Sequence, residues 1–138
     1  MKRYIIDTNA LISFITDRNI DQQKRISSLF EESSRLKAVL LCPQNVITEF
    51  VYVLDNIYNV PKTKINSMIY DIMITPGIEI IHELPLESLL GLWPSKISDF
   101  GDAVVASLGF QFRGSIIATF DISLRTILNK MKLATISL

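Results

Sequence analysis

The sequence predicts an α/β protein: a three-layer α/β/α sandwich on a central, mainly parallel sheet of four or five strands. Strand-like and helical segments alternate along the chain, which is typical of parallel strands joined by crossover helices. The predicted strands are continuous apolar runs, so both faces of the sheet are expected to be covered. The 138 residues suffice for one core, and we expect a single domain over residues 1–138.

The first half of the chain predicts two strands and their helices. Three β-forming residues, Tyr4, Ile5 and Ile6, mark the first strand. Pro43 suits the first turn of a helix, where its missing N–H is not needed. The predicted elements are a strand over residues 3–7, a helical segment over 11–15, an amphipathic helix over 21–36, a strand over 38–41 and a helix from 43 to about 58.

Prolines and apolar runs also divide the second half. Pro76-Gly77 breaks the chain between a helix and a strand, and Ser98 or Asp99 is expected to cap a later helix. The predicted elements are a helix over residues 61–75, a strand over 78–81, a short helix from 85 that ends before 94, a helix from about 99 to 110, a strand over 115–119, a helix over 122–131 and a short last strand over 133–137.

The composition is that of a globular protein, with 49% hydrophobic and 20% charged residues. No apolar run approaches the roughly 18–20 residues of a membrane span, and Asp7 comes too early for a signal peptide. We therefore expect a cytoplasmic protein with no membrane partner. The single cysteine, Cys42, excludes an internal disulfide, and its apolar neighbours predict a buried side chain.

Four acidic residues have apolar neighbours on both sides: Asp7 in YIIDTNALI, Glu49 in NVITEFVYVL, Asp102 in FGDAVVASL and Asp121 in IIATFDISL. A buried carboxylate is costly unless something pairs with it. Only Arg125, four positions after Asp121, is a candidate local partner. The simplest common partner for several clustered carboxylates is a divalent cation, because hard cations prefer oxygen ligands.

Strand order and helical spacing predict that these acids converge. Asp7 and Asp121 follow predicted strands, where sites form in parallel sheets. The predicted apolar stripe of the third helix comprises Val46, Phe50, Val53 and Ile57. Glu49 is three positions after Val46 and four before Val53, so we expect it to lie on that stripe. Asp102 likewise shares a helix face with Val105, Ala106 and Gly109. We expect both helical acids to face inward.

Helix capping is the competing explanation for each acid taken alone. Asp7 and Asp121 would each suit an N-cap after a strand, and a negative charge is favoured in a first helical turn, as for Glu49 and Asp102. Asp99 is interpreted as a cap rather than a metal ligand. Four acids at strand ends or on inward faces are harder to explain by capping.

The motifs DTNALI, ITEF, DAVVAS and ATFD, in that order, resemble those of the PIN-domain nucleases, and most closely the VapC-type toxins of toxin–antitoxin pairs. The resemblance spans Asp7 to Asp121, and its strength lies in the ordered set rather than in one motif. It implies the sandwich fold already predicted and a Mg²⁺- or Mn²⁺-dependent endoribonuclease. The expected reaction is hydrolysis of RNA phosphodiester bonds that leaves a 5′-phosphate and a 3′-hydroxyl, with one or two metal ions.

The resemblance also implies roles for single residues. Asp7, Glu49, Asp102 and Asp121 match the catalytic, metal-binding acids. The supporting positions are Thr8, Asn9, Thr119 and, as a cap, Asp99. Arg125, one helical turn after Asp121, is the best candidate for a phosphate contact. A homodimer and a cognate antitoxin are implied as partners, and the apolar stretches MIYDIMI and ESLLGLW would supply the surface.

Three other classes of protein share parts of this pattern. A haloacid-dehalogenase-like phosphatase needs a second carboxylate where Asn9 stands. A response-regulator receiver needs an adjacent acidic pair after the first strand, which this chain lacks. A non-catalytic PIN-like RNA-binding or scaffold protein is the third, although degenerate members would be expected to lose acids that this chain retains.

Overall fold

The computed structural model describes residues 1–82 and 84–138, which form five strands and seven helices. The strands are β1 (Lys2–Ile6), β2 (Ala38–Pro43), β3 (Ile78–Ile81), β4 (Ile116–Thr119) and β5 (Thr135–Ser137). The helices are α1 (Thr8–Ile15), α2 (Ile20–Ser34), α3 (Gln44–Asn56), α4 (Lys62–Ile74), α5 (Leu86–Leu92), α6 (Phe100–Gln111) and α7 (Ile122–Lys130).

The five strands form one sheet in the order β3-β2-β1-β4-β5, and every neighbouring pair is parallel. In the central pairing, Ile5 of β1 lies opposite Leu41 of β2 and Ile117 of β4. The order runs outward from β1 in one direction through β2 and β3, and in the other through β4 and β5. The direction of winding therefore reverses between β1 and β4.

Successive strand residues enter two separate cores, as the pleat requires. Tyr4 and Ile6 pack with α1 to α4 on one face of the sheet, whereas Ile5 packs with α5, α6 and α7 on the other. Both faces are covered, which confirms the three-layer α/β/α sandwich and explains why the strands are apolar throughout. Cys42 is fully buried, and burial raises the pKa of its thiol to about 12, so it serves as a packing residue.

The predicted elements are all present, and their ends differ from the predicted ones by a few residues. The largest difference concerns α1, which begins at Thr8 rather than near residue 11, because Asp7 caps it directly after the strand. Pro43 ends β2 and is the N-cap of α3, so the helix begins one residue later than expected. Among the described residues, no helix has the length and apolarity needed to span a membrane.

Candidate active site

The crevice at the reversal point between β1 and β4 holds the first and last of the four predicted acids. Parallel α/β sheets form their sites at such points, beyond the carboxyl ends of the strands. Asp7 follows β1 directly, and Asp121 follows β4 after one intervening residue. Both are helix N-caps: Asp7 Oδ1 accepts a hydrogen bond from Ala10 N at 2.8 Å, and Asp121 Oδ1 accepts one from Leu124 N at 3.0 Å. Capping and convergence are therefore compatible rather than alternatives.

Asp7 is the most buried of the acids, with only 7% of its surface exposed. Burial is the main reason that its pKa is raised. Its hydrogen bonds from Thr119 and Ala10 act in the opposite direction, whereas the charges of Asp121 and Glu49 raise the pKa further. A negative charge at Asp7 is thus costly in this protein unless a cation accompanies it.

Thr119 connects the two strand-end acids. Its hydroxyl is buried, donates to Asp7 Oδ2 at 2.6 Å and accepts from Asp121 N at 3.0 Å. Asp121 is only half-buried, and hydrogen bonds, first from the Leu124 N–H and then from Ser123, lower its pKa. Asp121 therefore remains charged at neutral pH, beside the much more buried Asp7.

Glu49 reaches the same crevice from α3, but the expectation that it is buried on the apolar stripe was wrong. Its side chain is exposed, while Val46, Phe50 and Leu54 form the buried stripe of α3. At 3.6 residues per turn, Glu49 lies about 100° from the middle of that stripe. It is therefore at the flank of the helix, where it faces the crevice.

The expected continuation of that stripe to Ile57 was also wrong, since Ile57 is 63% exposed just beyond the end of α3. Thr8, at the start of α1, fixes the Glu49 carboxylate: its hydroxyl donates to Glu49 Oε2 at 2.7 Å. Thr8 therefore positions the side chain of an acid of the pocket.

Two acids come from the start of α6. Asp99 is the N-cap, and its Oδ1 accepts from Asp102 N at 2.8 Å, which confirms the predicted cap. Asp102 lies in the first turn and is half-buried, and it faces inward to the pocket as expected. Burial, followed by the charges of Asp99, Asp121, Asp7 and Glu49, raises its pKa to about 7. No described residue donates a hydrogen bond to its carboxylate.

All four predicted acids line one pocket of about 240 Å³ together with Asp99. The described residues around it include no lysine, arginine or histidine. The lining residues are Asp7, Thr8, Asn9, Asn45, Val46, Glu49, Asp99, Gly101, Asp102, Val105 and Asp121. A pocket with several carboxylates and no cationic side chain favours positively charged ligands.

The donors suit a hard divalent cation, because they are all oxygen atoms. Asn45 lines this pocket, and its Oδ1 is buried without a hydrogen-bond partner among the described residues. A nearby positive charge would also favour the ionised form of Asp102, whose pKa is raised by burial and by the neighbouring carboxylates. Within residues 1–82 and 84–138, however, no three His, Cys, Asp or Glu side chains converge on one point closely enough to hold an ion. A hard cation held by these residues would contact some of them through water, because such ions often keep part of their hydration shell.

Of the two remaining predicted site residues, Asn9 lies at the pocket and Arg125 does not. Asn9 lines the pocket, and its backbone carbonyl accepts a hydrogen bond from Arg18 at 3.2 Å. Arg125 is half-buried and does not line the pocket, and within the described chain it forms no ion pair with Asp121.

Sequence reasoning missed Asn45 and Gly101. Asn45 precedes Glu49 by four positions, so helical spacing could have indicated that the two share a face. Gly101 gave no comparable signal, because its importance depends on the Glu49 side chain, which reaches it from another helix.

Comparison with known families agrees with this geometry. The family model described as "PIN domain" matches residues 4–127, which include β4, most of β1 and every acid of the pocket. This chain belongs to the PIN domain family. PIN domains are a nuclease family whose members generally use divalent metal ions. No curated protein sequence matches the chain.

Solved structures share the fold of this PIN domain at low sequence identity. The PIN domain endonuclease Utp24 has 18% identity and a TM-score of 0.57, over 99% of this chain and 84% of that one. PAE2754 from Pyrobaculum aerophilum has 15% identity and a TM-score of 0.59, over 95% and 97%. A domain of a functionally unknown protein from Methanocaldococcus jannaschii has 18% identity and a TM-score of 0.59, over 100% and 91%.

Proposed function

We propose that this PIN domain is an endoribonuclease that requires Mg²⁺ or Mn²⁺ and hydrolyses RNA phosphodiester bonds. The observation that carries the proposal is the pocket in which Asp7, Glu49, Asp102 and Asp121 meet, all four from motifs that resemble those of PIN-domain nucleases. The similarity in fold to the PIN domain endonuclease Utp24 supports it. The retention of all four acids favours catalysis over a non-catalytic scaffold.

The cation would be held by Asp7, Glu49, Asp102 and Asp121, and when bound it supplies activation of water and compensation for charge that develops on the phosphate. The chain itself orients these acids. Thr119 fixes Asp7 and the backbone of Asp121, and Thr8 fixes Glu49. Because the backbone N–H groups of α1 and α7 also bind Asp7 and Asp121, both carboxylates are attached to rigid elements.

The products would be a 5′-phosphate and a 3′-hydroxyl, as the resemblance to VapC-type nucleases implies. Five of the fourteen acidic residues line the pocket, so the rest of the chain carries fourteen basic and nine acidic residues. This excess of positive charge away from the site supports contact with a polyanion. Arg125 is proposed as one such contact, outside the pocket.

Cleavage of labelled RNA, with a DNA of the same sequence in parallel, tests the activity. We expect RNA cleavage with Mg²⁺ or Mn²⁺, none with EDTA, and severe loss in Asp7→Asn and Asp102→Asn. Asp71→Asn is the matched control, because Asp71 is exposed on α4 outside the pocket. Equal cleavage by wild type, Asp7→Asn and Asp102→Asn would reject the assignment, and RNA binding without cleavage would favour the scaffold alternative.

We further propose that the protein is the toxin of a toxin–antitoxin pair and acts as a homodimer in the cytoplasm. The order of its motifs supports the first point. Apolar side chains exposed on and near α4, among them Tyr70, Met73 and Ile74, would supply contact surface. Induced expression in bacteria should arrest growth, Asp7→Asn should not, and a small protein encoded beside the gene should restore growth. Continued growth with active enzyme present would exclude the toxin role, and light scattering would test the dimer.

A further inference from the structure

The side chain of Asn45 has an unexplained position at the pocket. Asn45 lies in the first turn of α3, and its Oδ1 is buried without a hydrogen-bond partner among the described residues. A buried amide oxygen without a donor is uncommon, because the cost of removing it from water is not recovered.

Helix capping does not explain this asparagine. Asparagine side chains at helix starts commonly accept a hydrogen bond from a backbone N–H. The N-cap of α3 is Pro43, which has no capping side chain, and Asn45 Oδ1 accepts no such bond. The role of the amide is therefore to be sought in the pocket that it lines.

We propose that Asn45 is an additional, neutral oxygen donor for the divalent cation of this site, in direct contact or through one water. The inference rests on the proposed function and adds to it a residue beyond the four predicted acids. Amide oxygens of asparagine are common ligands of hard cations. Asn45 also lies one helical turn before Glu49, so α3 presents two oxygen-bearing side chains to the pocket.

The neutrality of asparagine suits this position. The pocket already holds five carboxylates, and they repel one another in the absence of a cation. An aspartate at position 45 would add a sixth carboxylate to the pocket of the metal-free protein. An amide supplies a donor atom without that electrostatic cost.

The test compares Asn45→Ala, Asn45→Asp and wild type in two measurements: Mn²⁺ and Mg²⁺ titration by calorimetry and electron paramagnetic resonance, and thermal unfolding in EDTA. Asn45→Ala should weaken cation binding by about 10-fold, within the range for groups that support metal sites. Its metal-free Tm should equal or exceed that of wild type, because a buried oxygen without a partner is removed. Asn45→Asp should bind the cation at least as tightly as wild type and unfold at a lower temperature without it. Asn56→Ala is the matched control, since Asn56 is exposed at the other end of α3.

Three outcomes would overturn the inference: equal cation binding by Asn45→Ala and wild type, no cation binding by wild type, or a lower metal-free Tm in Asn45→Ala. The last outcome would show that the amide stabilises the fold instead. RNA cleavage by wild type is measured separately in the same buffers. If the variants show the expected changes in cation binding but wild type does not cleave RNA, the proposed function is rejected and the role of Asn45 stands. If wild type cleaves RNA but Asn45→Ala binds the cation as tightly as wild type, the role of Asn45 is rejected and the proposed function stands.

Discussion

Thr119 is the residue on which the geometry of the two strand-end acids depends. It is almost fully buried, and its hydroxyl is hydrogen-bonded both to the Asp7 carboxylate and to the backbone N–H of Asp121. The first bond favours the charged form of Asp7 against the effect of burial, so it also lowers the pKa of that acid. One hydroxyl thus links β1 to β4 and moderates the most buried charge of the site.

Replacement Thr119→Val keeps the shape of the side chain and removes the hydroxyl. We expect a loss of about 1–3 kcal/mol in the free energy of unfolding, because buried polar groups lose their partner. Cleavage should fall as well, since Asp7 is no longer fixed. Urea unfolding and cleavage rates measure both effects. Thr119→Ser is the control and should retain most activity, whereas wild-type behaviour of Thr119→Val would contradict this role of the hydroxyl.

Replacement of Asp102 should raise the stability of the metal-free protein and lower its activity. Its pKa is raised to about 7 by burial and by the neighbouring carboxylates, so its charge destabilises the metal-free protein at and above neutral pH. Asp102→Asn removes that charge with little change in shape. We expect the metal-free Tm at pH 8 to rise by a few degrees, while cleavage falls by more than the roughly 10–100-fold typical of groups that only support a metal site. A lower Tm in Asp102→Asn would refute the electrostatic explanation.

At the scale of the elements, the Glu49 side chain of α3 reaches the first turn of α6 at Gly101. A Cβ at this position would overlap the Glu49 carboxylate and lie 3.2 Å from Asp99 Oδ1. The absence of a side chain therefore lets Glu49 cross from α3 to the first turn of α6. Glycine costs stability in a helix, so its presence here is best explained by the space that Glu49 needs.

Gly101→Ala should separate folding from function. Alanine favours the helix by about 0.5–1 kcal/mol, and Glu49 can move aside at little cost because it is the end of a flexible, exposed side chain. We expect a Tm equal to or above that of wild type, together with weaker Mg²⁺ binding and slower cleavage. Gly91→Ala in α5 is the control, since a Cβ there meets nothing within 4 Å. Unchanged Mg²⁺ binding in Gly101→Ala would show that the position of Glu49 is not limiting.

The sequence predicted the elements well because their signals are local. The apolar run at Tyr4–Ile6 and the break at Pro76-Gly77 identify a strand and a helix end without any knowledge of the fold. The burial of Glu49 was predicted wrongly. A side chain at the flank of an apolar stripe is buried or exposed according to what the helix packs against. Asn45 and Gly101 were missed for a related reason: their roles depend on contacts between elements that are distant in sequence.

At the scale of the whole molecule, the sheet order explains why the acids meet. β1 and β4 are adjacent although more than a hundred residues separate them, so Asp7 and Asp121 share one edge of the sheet. Helices on opposite faces then bring Glu49 and Asp102 to that edge. The sequence predicted this convergence from a general property of parallel sheets, whose sites lie beyond the carboxyl ends of the strands. It could not predict that β1 and β4 are neighbours, since no local pattern encodes which strands pair.

The carboxylates gathered in the pocket should make the stability of the whole protein depend on pH and on a bound divalent cation. The pKa values of Asp7 and Asp102 are raised, so the folded protein binds protons more tightly than the unfolded chain. That contribution is complete below the ordinary pKa of about 4 and is lost as the pH rises through the folded values, about 7 for Asp102. Asp121 acts in the opposite sense, because its pKa is lowered, and its contribution is lost only as the pH falls below about 4.

The metal-free Tm should therefore fall between about pH 5 and pH 8, and Mg²⁺ should oppose that fall because a cation favours the charged carboxylates. The difference in Tm between excess Mg²⁺ and EDTA should be small at pH 5 and largest at pH 8. Scanning calorimetry at four pH values measures it, and Asp102→Asn should show a weaker pH dependence in EDTA. The acids repel one another only while they are charged and no cation is bound between them. Equal Tm values in EDTA and in excess Mg²⁺ at pH 8 would therefore mean that no cation binds at this pocket.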